Sequence, residues 1–197
     1  MAMDGRQGAR CTAFEGTRRI ASGALGEVAL ATKAVVERGP TGPVLVFDDD
    51  TSEPIELDLR GSDEDVLRRL APPPPPAEEP KATRGPGRPR LGVVAREVTL
   101  LPRHWEWLAA QPGGASVALR RLVDEARRDR EPADRLRAAR EAAYRFMSAM
   151  AGDAPGFEEA TRALFAGDRV RFTAQTADWP SDVRDHARRL AAAAFDA

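Results

Sequence analysis

The chain has 197 residues, 42% of them hydrophobic, and a formal net charge of −1. That is enough for one or two domains with a buried core, and it excludes a disordered acidic tail and nucleic-acid binding driven by overall charge. Lys33 and Lys81 are the two lysines among 30 basic residues, a bias that makes arginine abundance weak evidence of phosphate contact.

Cys11 is the single cysteine, so no internal disulfide forms, and His104 and His186 lie too far from it in sequence to make a zinc motif. No cofactor is expected. The N-terminus lacks an apolar signal core, and no run approaches the roughly 20 apolar residues of a membrane span. The expectation is a cytoplasmic, non-membrane protein.

In chain order, Cys11 to Phe14 and Arg19 to Ala21 predict a strand pair turning at Glu15-Gly16. Ala24 to Arg38 carries helical periodicity through Leu25, Val28, Leu30, Val35 and Val36, stopping at Gly39-Pro40. Val44 to Phe47 reads as a buried strand, and the alternation of Ile55, Leu57 and Leu59 as a half-buried one. Ser62 is placed to cap a helix that has Asp63, Glu64 and Asp65 in its first turn and ends near Leu70.

Pro72 to Pro76 cannot enter a helix and read as an extended spacer. Charge changes sign across it. Residues 1–70 hold nine basic and thirteen acidic groups, whereas 81–103 hold six basic and one acidic.

Beyond the spacer, Arg96 to Leu101 predicts a short strand with Val98 and Leu100 on one side and Glu97 and Thr99 on the other. Pro102 opens a helix bearing Trp105 and Leu108 on one face. Pro112-Gly113-Gly114 breaks it, Ser116 is the expected cap of the next helix, and Leu119, Leu122, Val123 and Ala126 form that helix's apolar stripe. From Pro132 the pattern is helical: Leu136, Ala139, Ala143, Phe146, Met147 and Met150 make one stripe, ended by Ala151-Gly152-Asp153. Pro155 opens a second helix, closed by Ala166-Gly167-Asp168, and Trp179-Pro180-Ser181 leads into a last one, where Asp182 and His186 stand four apart.

Three resemblances follow. Strand, helix, Gly turn and capped helix within about forty residues resemble the ribbon-helix-helix transcriptional regulators, in which two chains pair their strands into an antiparallel ribbon for the DNA major groove. That resemblance implies a homodimer with Val98, Leu100, Trp105, Leu108, Leu119 and Leu122 in its core. It implies DNA contact by Arg96, Glu97 and Thr99, and phosphate contact by the amides at Ala115 and Ser116. Gly87-Arg88-Pro89-Arg90 resembles the core of an AT-hook, with Pro86 in place of the arginine expected before the glycine; it implies DNA contact by Arg84, Arg88 and Arg90. Val44 to Thr51, VLVFDDDT, is similar to the DxDxT nucleophile loop of haloacid-dehalogenase-type phosphotransferases, with Asp48 and Asp50 as magnesium-holding carboxylates. Thr51 there comes one position early, and a solvated turn is the competing reading.

The phrases CTAFEGTRRIASG, VLVFDDD, ELDLRGS, YRFMSAMAGDAPGFEEATRALFAGD and WPSDVRDHARRLA resemble, over nearly the full length, uncharacterised bacterial family number 2239 of the domain-of-unknown-function series, which implies no activity. The expected organisation is α+β: a small α+β domain at 1–70, a Pro-rich basic linker at 71–93, a ribbon-helix-helix-like module at 94–130 and a helical region at 131–197. The expected function is non-enzymatic: a dimeric DNA-binding, transcription-regulating protein, with a protein-interaction scaffold as the alternative. The terminal domains are then free to recognise a protein partner or signal.

Overall fold

The computed structural model describes residues 10–71, 94 and 96–195. It is α+β. The elements are β1 (Arg10–Glu15), β2 (Arg18–Ala24), α1 (Leu25–Glu37), β3 (Val44–Asp48), α2 (Asp63–Leu70), α3 (Pro102–Ala109), α4 (Gly114–Ala151), α5 (Phe157–Ala166), α6 (Arg169–Gln175) and α7 (Ser181–Ala191), followed by a short 3₁₀ turn at Ala192–Phe195. Two compact units result. One comprises residues 73–131, and the other brings together the stretches on either side of them.

The larger unit is organised by an antiparallel sheet of order β2-β1-β3. Its central strand is buried from Cys11 to Glu15, because both faces of the sheet are covered. Strand alternation divides the side chains. Cys11, Ala13 and Val46 face a cluster with Val28 of α1 and Ile55, while Phe14 and Phe47 face a larger one. A bulge in β2 opposite Ala13/Phe14 shifts the register there, and Ile20 and Ala21 both pack against the smaller cluster.

The larger cluster joins Phe14 and Phe47 to Ala143, Phe146 and Met147 of α4, Leu164 of α5, Phe172 of α6, and Val183, Ala187 and Leu190 of α7. The chain on both sides of the central unit therefore shares one core. Phe146 sits at its centre, with ring centroids 5.4 Å from Phe14 and 5.3 Å from Phe47. Burying each of these rings contributes about 1.5 to 3 kcal/mol.

Helix α2 starts where expected. Ser62 accepts from the Asp65 amide, and Asp65 accepts in return from the Ser62 amide. Its apolar side rests on α1, where a Cβ added at Gly26 would lie 3.1 Å from Leu67. Lys33 of α1 ties the pair together by bridging Glu37 at 2.8 Å and Asp63 at 2.9 Å.

Two local expectations are corrected, and two further features are added. Ile55 to Leu59 is not a strand: only Pro54 bridges Phe47, and Ile55 donates once to Val46. The carbonyls of Asp58 and Arg60 are taken by the Arg69 guanidinium rather than by a ladder. Helix α4 begins at Gly114, so Ser116 lies inside its first turn rather than at its cap. The same helix runs through Pro132, across the expected boundary between the module at 94–130 and the helical region at 131–197. Proline there leaves the Arg128 carbonyl without its intrahelical donor, but residues 120–135 are exposed and water can satisfy it. Finally, Arg169–Gln175 is helical, capped by Asp168, which accepts from the Arg171 amide at 2.9 Å.

Candidate nucleic-acid interface

Arg84, Arg88 and Arg90 lie outside the described residues. Arg96, Glu97, Val98 and Thr99 are exposed and Leu100 is half-buried. The strand predicted at Arg96 to Leu101 is not formed in the single chain; these residues have no regular secondary structure. The reason is physical: a strand exists through the partner that satisfies its N–H and C=O groups. Leu101, at φ −66° and ψ 149°, is extended.

Helix α3 starts at Pro102, as the missing proline amide allows. Trp105 and Trp107 are exposed and Leu108 is buried. The turn into α4 needs two left-handed residues, Gly113 at φ 82° and Gly114 at φ 76°. A Cβ at Gly113 would also press to 3.1 Å from Val117. In α4, Ala115 and Leu119 are half-buried, Ala118 is buried, and Ser116, Leu122 and Val123 are exposed. The amides of the first turn have no intrahelical acceptor, whichever residue caps them.

The acidic loop after β3 takes the turn reading. Asp48 accepts from the amides of Asp50 (3.0 Å) and Thr51 (2.8 Å) and from the Thr51 hydroxyl (3.0 Å). Arg145 donates to the Thr51 carbonyl. Asp49 points inward, its side chain only 5% exposed. It accepts from Thr12 at 2.6 Å and from Arg189 at 3.0 Å. Among the described residues no group of three or more His, Cys, Asp or Glu side chains is placed to hold a metal ion. Of the two carboxylates that resembled a phosphotransferase loop, Asp48 is thus engaged in capping the turn and Asp50 is exposed, while the ion pair is made by Asp49 between them.

Asp182 and His186 part company. Asp182 accepts from the Arg19 amide at 2.8 Å. His186 is buried, 4.4 Å from the Phe146 ring and 5.3 Å from that of Phe14. Burial first, and then the neighbouring Arg189, pushes its pKa down to about 4, so it stands neutral at pH 7. Burial, with Asp49 and Asp48 adding to it, pushes the Cys11 thiol up to about 11. A thiol so held is not a nucleophile.

Sequence reasoning missed the contact of Asp49 with Arg189, 140 positions away. It also missed Glu15 as a hub, which accepts from the Thr41 amide (2.8 Å), Arg18 (2.6 Å) and Arg38 (3.0 Å). The only signal was a polar residue within an otherwise apolar strand: Thr12, and Glu15 at the end of β1.

Among the described residues no helix is long and apolar enough to cross a membrane. No curated protein and no solved structure matches the chain. A family model, described as an uncharacterized protein conserved in bacteria (DUF2239), matches residues 10–191, which is nearly the whole length, and the chain belongs to that family.

Proposed function

We propose that this protein is a dimeric, non-enzymatic DNA-binding protein whose central unit pairs with that of a second copy. One observation carries the reading. Val98 is 53% exposed, Trp105 40% and Leu122 38%, and these are apolar side chains that the ribbon-helix-helix resemblance assigns to a dimer core. Isolated exposed hydrophobics are ordinary, but several on one small unit mark an interaction surface.

In this reading two copies align residues 96–101 antiparallel, so each segment supplies the hydrogen-bond partners the other lacks. Val98, Leu100, Trp105, Leu119 and Leu122 then face the partner, with Leu108 beneath them. Arg96, Glu97 and Thr99 face the major groove. The first-turn amides near Ala115 and Ser116 meet a phosphate, and Arg84, Arg88 and Arg90 of the basic arm contact backbone or minor groove. The near-zero net charge makes this clustering of positive charge at 81–103 the electrostatic basis of binding.

Sedimentation and a salt-titrated DNA-binding assay test it. The native chain is expected to be a dimer at micromolar concentration and Leu100→Asp a monomer. Changing Arg84, Arg88 and Arg90 to Ala is expected to lower the salt slope by about one unit per lost phosphate contact. A monomeric native protein would sink the ribbon. A dimer that enriches no DNA sequence would leave the second reading, a dimeric interaction scaffold, which Glu97 on the base-facing side favours because a carboxylate repels phosphate unless it accepts from cytosine.

A further inference from the structure

Helix α4 is continuous for 38 residues with Pro132 inside it. A proline there has no amide to give the carbonyl four residues back, that of Arg128, and its ring crowds the same carbonyl. It also disfavours the helical conformation at Glu131, the residue before it. Helices bend at such points unless something else holds them straight.

The usual supports are missing around this proline. Residues 120–135 are all exposed, so no packing clamps the helix, and packing is what gives a helix in a protein most of its stability. The ion pairs of α4 stop short on either side, Arg121 with Glu125 before the proline and Arg137 with Asp134 and Glu141 after it. Among the described residues no side-chain hydrogen bond or ion pair joins a residue of α4 before Pro132 to one after it. Propensity does not help, since Asp129 and Asp134 are poor helix formers and proline is the poorest. What remains is backbone hydrogen bonding in water, one bond short. Farther along the same helix, by contrast, Ala142, Ala143, Phe146 and Met147 are buried. The division of the chain into two compact units falls between Glu131 and Pro132.

We propose that Pro132 is a hinge: α4 consists of two stiff helical segments joined at a flexible point over residues 128–132. A proline that sets a fixed kink needs a neighbour packed against the helix to hold the bend, and this stretch has none. A hinge needs the opposite, a weak point free of contacts at a unit boundary, and both conditions are met. The inference stands whether or not the central unit binds DNA.

Pulsed electron spin resonance on the full chain reads the joint directly. Cys11 is buried and stays unlabelled, so spin labels go on Arg120→Cys with Ala138→Cys, both exposed positions, about 27 Å apart along a straight helix. Ser116→Cys with Arg130→Cys, about 21 Å apart and both before the proline, is the control. Dilution in a large excess of unlabelled chain removes distances between copies. The spread of distances across Pro132 is expected to be at least twice that of the control. Pro132→Ala, which restores the amide, is expected to bring it down to the control's spread. A single sharp distance in the native chain, at full length or shortened by a fixed bend, would overturn the hinge, and so would a spread that Pro132→Ala leaves unchanged.

Discussion

The buried His186 makes the larger unit sensitive to mild acid. In the unfolded chain the imidazole takes a proton near its ordinary 6.5, whereas in the fold burial and Arg189 hold it to about 4. Between those values the unfolded state binds the extra proton, so folding stability falls as pH drops through 6.5 and stops falling through this group near 4. The full interval corresponds to on the order of 3 kcal/mol at 1.36 kcal/mol per pH unit, and about 2 kcal/mol of it is lost between pH 7.5 and 5. That window lies above the titration of ordinary carboxylates, which isolates the histidine. Urea unfolding followed through Trp179, which is buried in this unit, reads it cleanly when Trp105 and Trp107 are changed to Phe. His186→Phe keeps a ring between Phe14 and Phe146 and removes the titration, and its stability is expected to be nearly flat over the same window. A wild-type protein equally stable at both pH values, or a variant that keeps the full slope, would refute the reasoning.

Glu15, held down to about 2 by the Thr41 amide first and then by Arg18, contributes stability that is present above its unfolded pKa and lost as pH falls through the folded value. In acid titration monitored by circular dichroism, Glu15→Gln is expected to remove part of the loss below pH 4.5. Ser62→Ala breaks the capping box of α2 and is expected to cost about 1 kcal/mol, visible first as faster hydrogen exchange at the amides of 64–66. Ser52 is the one non-glycine described with positive φ, 55°, and its buried hydroxyl has no partner. Ser52→Gly is therefore expected to stabilise by about 1 kcal/mol in urea unfolding, and a loss of stability would mean that the hydroxyl has a partner, such as a bound water.

Where local chemistry decides, the sequence was legible. The β1–β2 turn, α1, β3, the Ser62 cap, the Pro102 start and the Gly113-Gly114 turn are set by alternation, helical spacing and residues with restricted or permissive backbones. Reading failed where a distant group intervenes. The Arg69 guanidinium occupies the Asp58 carbonyl within Ile55 to Leu59 and the Arg60 carbonyl just after it. Solvent around α4 tolerates Pro132. Helix α6 was missed because RVRFTAQ buries only Phe172, leaving no apolar stripe. At the candidate interface, the apolar positions were readable from helical spacing.

The central unit poses an energetic problem that its own residues do not solve. Among its described residues only Leu108 and Ala118 are buried. Ordering a backbone costs about 1 to 2 kcal/mol per residue, whereas burying a leucine returns about 1.5 to 3 kcal/mol, so two buried side chains fall far short of offsetting two helices and a turn. Apolar groups exposed in the single chain are one source of further burial, and the unit offers Val98, Leu101, Trp105, Leu122 and Val123 for it. If a second copy covers them, folding of this unit and association become one equilibrium, and its melting temperature must rise with protein concentration. Burial of Trp105 and Trp107 fluorescence that develops with concentration, while the signal of Trp179 stays constant, is the outcome that physical coupling requires. Concentration-independent melting would place the source of stability elsewhere in the chain and remove the argument for the dimer.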